Sequence, residues 1–239
     1  MEEKSILDAT DIKGSSVLAR TFTAHVFSWM FAALAVSAAT AFYVANSNAI
    51  NYLIDFETGS RTILGWVVML SPLAFILVMN FGMEKLSAAA LSAVFLLFAI
   101  CMGASLSYIF LIYSSASLYT TFGITSATFA VMAAVGYTTK TDLTKFGSLM
   151  MMGLIGIIIA MIVNLFLNSA MMDYVISIIG VLIFTGLIAY DTQRIRKIGM
   201  QVGLGSQHSR KLAIMGATSL YLNFINLFLF LLRLLGGRN

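Results

Sequence analysis

Long apolar runs separated by short polar breaks dominate the chain. Seven of the runs are long enough to cross a bilayer as a helix, which needs about 20 apolar residues. They lie near residues 23–45, 62–81, 87–112, 117–138, 144–167, 174–192 and 212–235. The runs are almost continuously hydrophobic and lack the two-residue alternation of a membrane strand, which favours helices over a barrel. The pattern therefore predicts an all-α integral membrane protein, a bundle of seven transmembrane helices.

Composition agrees with this pattern and excludes a soluble protein. Of the 239 residues, 60% are hydrophobic and 10% are charged, whereas a soluble domain carries about 25% charged residues. The runs leave residues 1–21 as a polar N-terminal tail and residues 22–239 as one transmembrane domain. The tail lacks the basic n-region of a signal peptide, so we expect the first span to stay in the mature protein.

The distribution of positive charge predicts the orientation, because cytoplasmic loops carry an excess of lysine and arginine. With a cytoplasmic N-terminus and seven full crossings, the cytoplasmic side holds 11 of the 14 basic residues. These are Lys4, Lys13, Arg20, Lys85, Lys140, Lys145, Arg194, Arg196, Lys197, Arg210 and Lys211. We therefore expect the N-terminus inside and the C-terminus outside, unless the last run is re-entrant. The basic residues form no compact patch, so anionic lipid explains them better than nucleic acid does.

Acidic residues are scarce within the runs, and one stands out. Asp191 lies near the end of the sixth run, while the other nine fall in the tail, in loops or at helix ends. Its position fits either solvation beside Arg194 or a place inside the bundle, where its protonation state would gate an ion path. Tyr190 and Arg194, its neighbours in sequence, are candidate pore-lining or gate-supporting residues.

The seventh run contains a second polar pair. Asn223 and Asn226 are three residues apart and share a helix face. A carboxamide in hydrocarbon needs a hydrogen-bonding partner, so we expect both side chains to point into the bundle. There they would either fix the packing of helices or line a pore together with Asp191.

The residue types do not favour an enzyme. His25 opens the first run and His208 lies in a predicted cytoplasmic loop, so neither histidine is placed beside a serine within the membrane. Cys101 is the only cysteine, which excludes thiolate metal sites and an intramolecular disulfide. The sequence has no glycine-rich phosphate loop. We therefore expect neither enzymatic activity nor a cofactor.

Four short sequence motifs occur in a recognisable order along the second half of the chain. They are Gly136-Tyr-Thr-Thr-Lys-Thr-Asp-Leu, Met152-Gly-Leu-Ile-Gly, Phe184-Thr-Gly-Leu-Ile-Ala-Tyr-Asp-Thr-Gln-Arg-Ile and Ser219-Leu-Tyr-Leu-Asn-Phe-Ile-Asn-Leu-Phe. Together they resemble the Bax inhibitor-1/YccA-like family, also called the transmembrane Bax-inhibitor-motif family, in its bacterial branch. The resemblance extends from about Ala19 to Arg238.

This resemblance implies a seven-helix protein of the bacterial inner membrane that leaks calcium down its gradient under the control of pH. In the family, two facing aspartates in the sixth and seventh helices sense protons. Asp191 matches the first position, where it would also be a weak, transient contact for calcium, but Asn223 occupies the second. With one titrating group instead of two, we predict a pH response that is weaker or displaced to lower pH.

Other functions stay open at this level. Bacterial members of the family have been linked to restraining a membrane-bound quality-control protease, and other branches to cell-death suppression and stress responses. An interaction protein that modulates such a protease, with the polar tail as its contact, is the alternative to a channel. A proton-coupled transporter is a third hypothesis, which the single deep acid and the missing internal repeat disfavour.

Overall fold

The structure, a computed structural model, describes the backbone of residues 2–203 and 205–237 and the side chains from Gly14 onward. In this part of the chain, seven helices are long and apolar enough to cross a membrane, which confirms the predicted all-α, seven-helix membrane fold. The elements are α1 Glu2–Ala45, a 3-10 helix Asn48–Tyr52, β1 Ile54–Asp55, β2 Ser60–Arg61, α2 Ile63–Gly82, α3 Ala88–Leu106, α4 Ile109–Ile112, α5 Ser115–Thr138, α6 Thr144–Leu167, α7 Ala170–Gln201 and α8 Gln207–Leu235.

Several helices extend beyond the apolar runs: α1 begins at Glu2, well before the first run, and the helices of the last two spans extend into the polar break between them. The sixth run ends near 192, but α7 continues to Gln201, and α8 begins at Gln207. The extension is polar, and its glutamine, arginine and lysine residues are good helix formers in water. Hydropathy marks where a helix leaves the apolar region rather than where it ends. Asp191 consequently lies more than two turns inside its helix.

The α6–α7 turn is short and fixed by polar side chains. Asn168 adopts a left-handed conformation, with φ of 48°, as asparagine does more readily than most residues. The Asn164 side chain accepts a hydrogen bond from the Ser169 backbone N–H at 3.1 Å. Ser169 in turn caps α7 by accepting the Met172 N–H at 3.3 Å. The turn reverses the chain, so that α7 returns along α6.

The chain divides into two compact units, of which the first comprises residues 2–24, Ser115–Gly203 and Ser219–Gly237. In this unit α7 packs against both α5 and α6. Glycines allow the close approach, since a Cβ at Gly136 of α5 would overlap the Ala189 carbonyl of α7. On α6, a Cβ at Gly147 would overlap the Tyr190 ring. Both contacts fall immediately before Asp191, so they fix the part of α7 that carries it.

The second unit comprises His25–Ser114 and residues 205–218. Here α2 packs on α3, and the Ser37 hydroxyl of α1 donates to the Ala99 carbonyl of α3 at 2.7 Å. The predicted polar break after the first span contains the β1–β2 hairpin, whose Arg61 guanidinium lies 4.4 Å from the centre of the Tyr108 ring. The predicted third span, near 87–112, corresponds to the stretch Ala88–Ile112, in which a two-residue turn separates α3 from α4.

Much of the apolar surface faces outward, as it does in a protein solvated by lipid. On α6, exposed side chains include Met152, Ile155, Ile159 and Phe166, the last of them 83% exposed. Such a surface in water would favour aggregation, but hydrocarbon covers it without cost. By contrast, 67% of the apolar stretch of α8 is buried, so the polar side chains of α8 need partners within the protein.

Candidate functional site

A carboxylate on α7 is hydrogen-bonded to two neutral side chains on α8. Asp191 is 8% exposed. One of its oxygens, Oδ2, accepts the Ser219 hydroxyl at 2.6 Å and the Asn223 amide Nδ2 at 2.8 Å. All three residues belong to the first unit. The two positions that the family resemblance pairs, Asp191 and Asn223, are therefore in direct contact.

The helical repeat explains why α8 supplies both donors. Ser219 and Asn223 are four residues apart, and residues at this spacing lie one above the other on a helix face. Asn223 is 6% exposed, so its amide needs a protein acceptor. Around them, α8 packs by aromatic contacts, with the Phe224 ring 5.6 Å from Phe122 and 5.7 Å from Phe129 of α5.

The two carboxylate oxygens have different surroundings. Both donors bond Oδ2, and among the described residues no donor contacts Oδ1. When Asp191 is ionised, the two bonds are charge-assisted, and such bonds are about twice as strong as neutral ones. Protonation removes the charge and weakens both bonds. The Ser219 hydroxyl can turn to accept a proton, but the Asn223 Nδ2 is a donor only, so protonation acts directly on the link between α7 and α8.

The other three predicted site residues make no hydrogen bond to Asp191. Asn226 is half-buried and makes no hydrogen bond to any described residue. Arg194 is exposed and forms no ion pair with Asp191 in the described part of the chain, although its charge acts on the carboxylate. Tyr190 is half-buried and lies against Gly147 of α6. The structure thus brings together two of the five predicted residues.

Ser219 is the member of the site that the sequence interpretation did not single out. Serine is common in membrane helices, where its hydroxyl usually bonds the carbonyl one turn earlier, as Ser177 does with Asp173 on α7 at 2.8 Å. The spacing of four residues between Ser219 and Asn223 could have indicated that Ser219 belongs to the site, because it places both donors on one helix face.

The site offers few of the oxygen ligands that a metal ion needs. Among the described side chains, no three His, Cys, Asp or Glu residues are grouped closely enough to hold a metal. The site offers one carboxylate, one carboxamide oxygen and one hydroxyl, whereas Ca²⁺ binds six to eight oxygens. These oxygens are too few to replace the hydration shell of a calcium ion.

Comparisons with known proteins cover nearly the whole chain. A family model described as inhibitor of apoptosis-promoting Bax1 matches residues 19–239. The inner membrane protein YbhL of Escherichia coli strain K12 is 40% identical over 220 residues, 92% of this chain and 92% of YbhL. A Borreliella burgdorferi protein is 40% identical over 98% of this chain and 99% of its own length. A Streptococcus pyogenes membrane protein is 34% identical over 93% of this chain and 95% of its own length.

Proposed function

Because this chain belongs to the Bax inhibitor-1/YccA family, we propose that it is a passive, pH-modulated calcium leak channel of the bacterial inner membrane. Calcium is the transported ion and the proton is the modulator, with no resident cofactor and no enzymatic step. The family membership confirms the resemblance found in the four sequence runs. The inner membrane is the location given in the name of the Escherichia coli relative.

The contact of Asp191 with Ser219 and Asn223 is the observation that carries the proposal. Placing a charged side chain within a membrane is costly, about 2.5–3.5 kcal/mol at a helix centre on insertion scales. Here two neutral donors on α8 compensate the charge. The link between the helices is therefore strongest when Asp191 is ionised. A proton that neutralises the carboxylate loosens the link, which is the property a pH-controlled gate needs.

The chemistry of the site supports a leak better than storage or pumping. A single negative charge attracts a divalent cation, but too few oxygens are present to replace its hydration shell. Weak binding permits rapid release, which conduction requires. The sequence contains no phosphate-binding loop that would couple transport to nucleotide hydrolysis. Passive flow down a gradient is consistent with each of these features.

The decisive experiment measures calcium entry into liposomes that contain only the purified full-length protein. Flux is recorded with an enclosed dye across a pH series from about 8 to 6, for the native protein and for Asp191→Asn. We expect flux that changes with pH in the native protein. In Asp191→Asn the pH dependence should be lost, because asparagine keeps the shape of the side chain and removes the titrating group.

A matched control and the contrary results complete the test. Asp173→Asn changes an exposed aspartate at the other end of α7, 3.4 Å from Arg233, and should keep the native pH profile. Flux that Asp191→Asn leaves unchanged would remove the gating role. Absence of flux at every pH, from protein that is folded and inserted, would refute the channel and favour the alternative, an interaction protein that modulates a membrane-bound protease.

A further inference from the structure

The polar end of α7 holds the loop that joins α5 to α6. Gln193 is 5% exposed and uses both ends of its amide. Its Nε2 donates to the Thr141 carbonyl at 2.8 Å, and its Oε1 accepts the Leu143 backbone N–H at 2.9 Å. The partners are 50 and 52 residues away in sequence. A buried amide whose N–H and oxygen are both hydrogen-bonded holds its segment firmly, because leaving either group without a partner would cost free energy.

Two cationic side chains that follow Gln193 on α7 make further contacts, one with the end of α5 and one with the α5–α6 loop. Arg196 donates to the Tyr137 carbonyl, in the last turn of α5, at 2.7 Å, where a positive charge complements the helix dipole. Lys197 pairs with Asp142 at 2.7 Å. The hydrogen bonds from Lys197 and Thr144 lower the pKa of Asp142 to about 2. The Asp142 carboxylate consequently stays ionised throughout the physiological pH range.

These contacts lie on the side of α7 that faces away from the Asp191 site. At 100° per residue, Gln193, Arg196 and Lys197 share one face, roughly 180° around the helix from Asp191. Ala189, whose carbonyl Gly136 of α5 approaches closely, belongs to the same face. One side of α7 is thus held by α5 and the α5–α6 loop, and the other side is hydrogen-bonded to α8 through Asp191.

We propose that Gln193 is a positioning residue for Asp191. By bonding the backbone at both ends of its amide, Gln193 fixes the rotation of α7 about its axis and so directs the Asp191 carboxylate at Ser219 and Asn223. Release of the α5–α6 loop frees α7 to turn. The inference deepens the proposed function, since it identifies the element that holds the gate, but it concerns geometry and can be tested without ion flux.

Carbodiimide labelling of Asp191 provides the test. The hydrophobic reagent dicyclohexylcarbodiimide modifies protonated carboxyls within membranes, and mass spectrometry of the full-length protein locates and times the modification. Among the described residues, Arg194 is the charged side chain that acts on Asp191. The residues of α8 that bond Asp191, Ser219 and Asn223, are neutral. Changing Gln193 alters none of these groups. A changed labelling rate therefore reports a changed position of the carboxylate.

Two variants remove the contact in different ways. Gln193→Met keeps the length of the side chain and loses both hydrogen bonds, whereas Gln193→Asn keeps an amide that is too short to bond the loop. We expect labelling of Asp191 to accelerate about two- to tenfold in both, the change that corresponds to losing a hydrogen bond of ordinary strength. Gln201→Met, which changes an exposed glutamine on the same helix, should label at the native rate.

A reversible tether distinguishes positioning from a general loss of structure. In a Cys101→Ala background that carries Gln193→Met, the exposed pair is replaced by Asp142→Cys and Lys197→Cys. A short bifunctional methanethiosulfonate then joins the loop to α7, and a reductant releases it. Slow labelling should return with the tether and disappear on reduction. Native-rate labelling in folded Gln193→Met, or fast labelling that the tether leaves unchanged, would overturn the proposal whether or not the protein conducts calcium.

Discussion

At the scale of single residues, the site depends on how one carboxylate is hydrogen-bonded. Asp191 receives two neutral donors on the same oxygen. One of them, Asn223, stands where the family resemblance implies a second aspartate. An amide donates to an ionised carboxylate without titrating, whereas two carboxylates at this distance could not both ionise and would share a proton. The identity of residue 223 should therefore set the pH at which the link between α7 and α8 weakens.

Replacing Asn223 with aspartate tests this relation. We expect Asn223→Asp to move the pH dependence of calcium flux upward by about one unit or more, because the second carboxylate couples the two titrations. Calcium entry into liposomes, measured at each pH, gives the profile. Asn226→Asp is the matched control, since residue 226 lies one turn away and does not bond Asp191. Equal profiles in the two variants would contradict the role of residue 223.

The sequence predicted much of the site at this scale, but not all of it. Asp191 and Asn223 were identified because a polar group within an apolar run is costly in lipid and therefore needs a partner or a function. Asn226 met the same criterion, yet the structure gives it no hydrogen-bonding partner among the described residues. Ser219 was missed because a lone hydroxyl is inexpensive in a membrane helix. Which of several polar side chains meet depends on the rotation of each helix, and a one-dimensional pattern does not contain it.

At the scale of elements, α7 is positioned by close contacts with its neighbours. Gly136 and Gly147 let α5 and α6 approach its backbone and the Tyr190 ring immediately before Asp191. Membrane helices gain little from burying apolar surface, since lipid is equally apolar, so close packing and hydrogen bonds decide their arrangement. A methyl group added at such a contact must separate the two helices.

A glycine substitution tests how much this packing contributes. Gly136→Ala should lower the free energy of unfolding by about 1–3 kcal/mol, the usual cost of overpacking, because its Cβ would overlap the Ala189 carbonyl. Thermal unfolding in detergent measures the effect. Gly123→Ala in the same helix is the control, since a Cβ there meets nothing within 4 Å. A midpoint for Gly136→Ala that matches the control would mean that the helices tolerate separation here.

At the scale of the whole molecule, the membrane determines which surfaces are apolar and which loops are charged. The lipid-facing side chains of α6 need no partner. The basic residues are concentrated in the loops that a cytoplasmic N-terminus would place inside. With this orientation the α5–α6 loop and the polar end of α7 face the cytoplasm. Asp191 would then lie closer to the cytoplasmic end of α7 than to its other end.

Cysteine labelling in cells tests this orientation. In a Cys101→Ala background, Thr58→Cys places a thiol in the β1–β2 hairpin and Lys140→Cys places one in the α5–α6 loop. A membrane-impermeant maleimide should label Thr58→Cys in intact spheroplasts and Lys140→Cys only after lysis. The reverse pattern would show that the positive-inside count predicts the wrong orientation.

The sequence alone determined the fold class and the number of spans, and it singled out Asp191 as a candidate site residue. Each of these follows from hydrophobicity and charge, which act on a segment through the solvent that surrounds it. Tertiary structure decided that Asp191 meets Ser219 and Asn223, and that Gln193 holds a loop 50 residues away. The reason is physical: such contacts depend on the rotation and register of helices, which are set by close packing between distant segments.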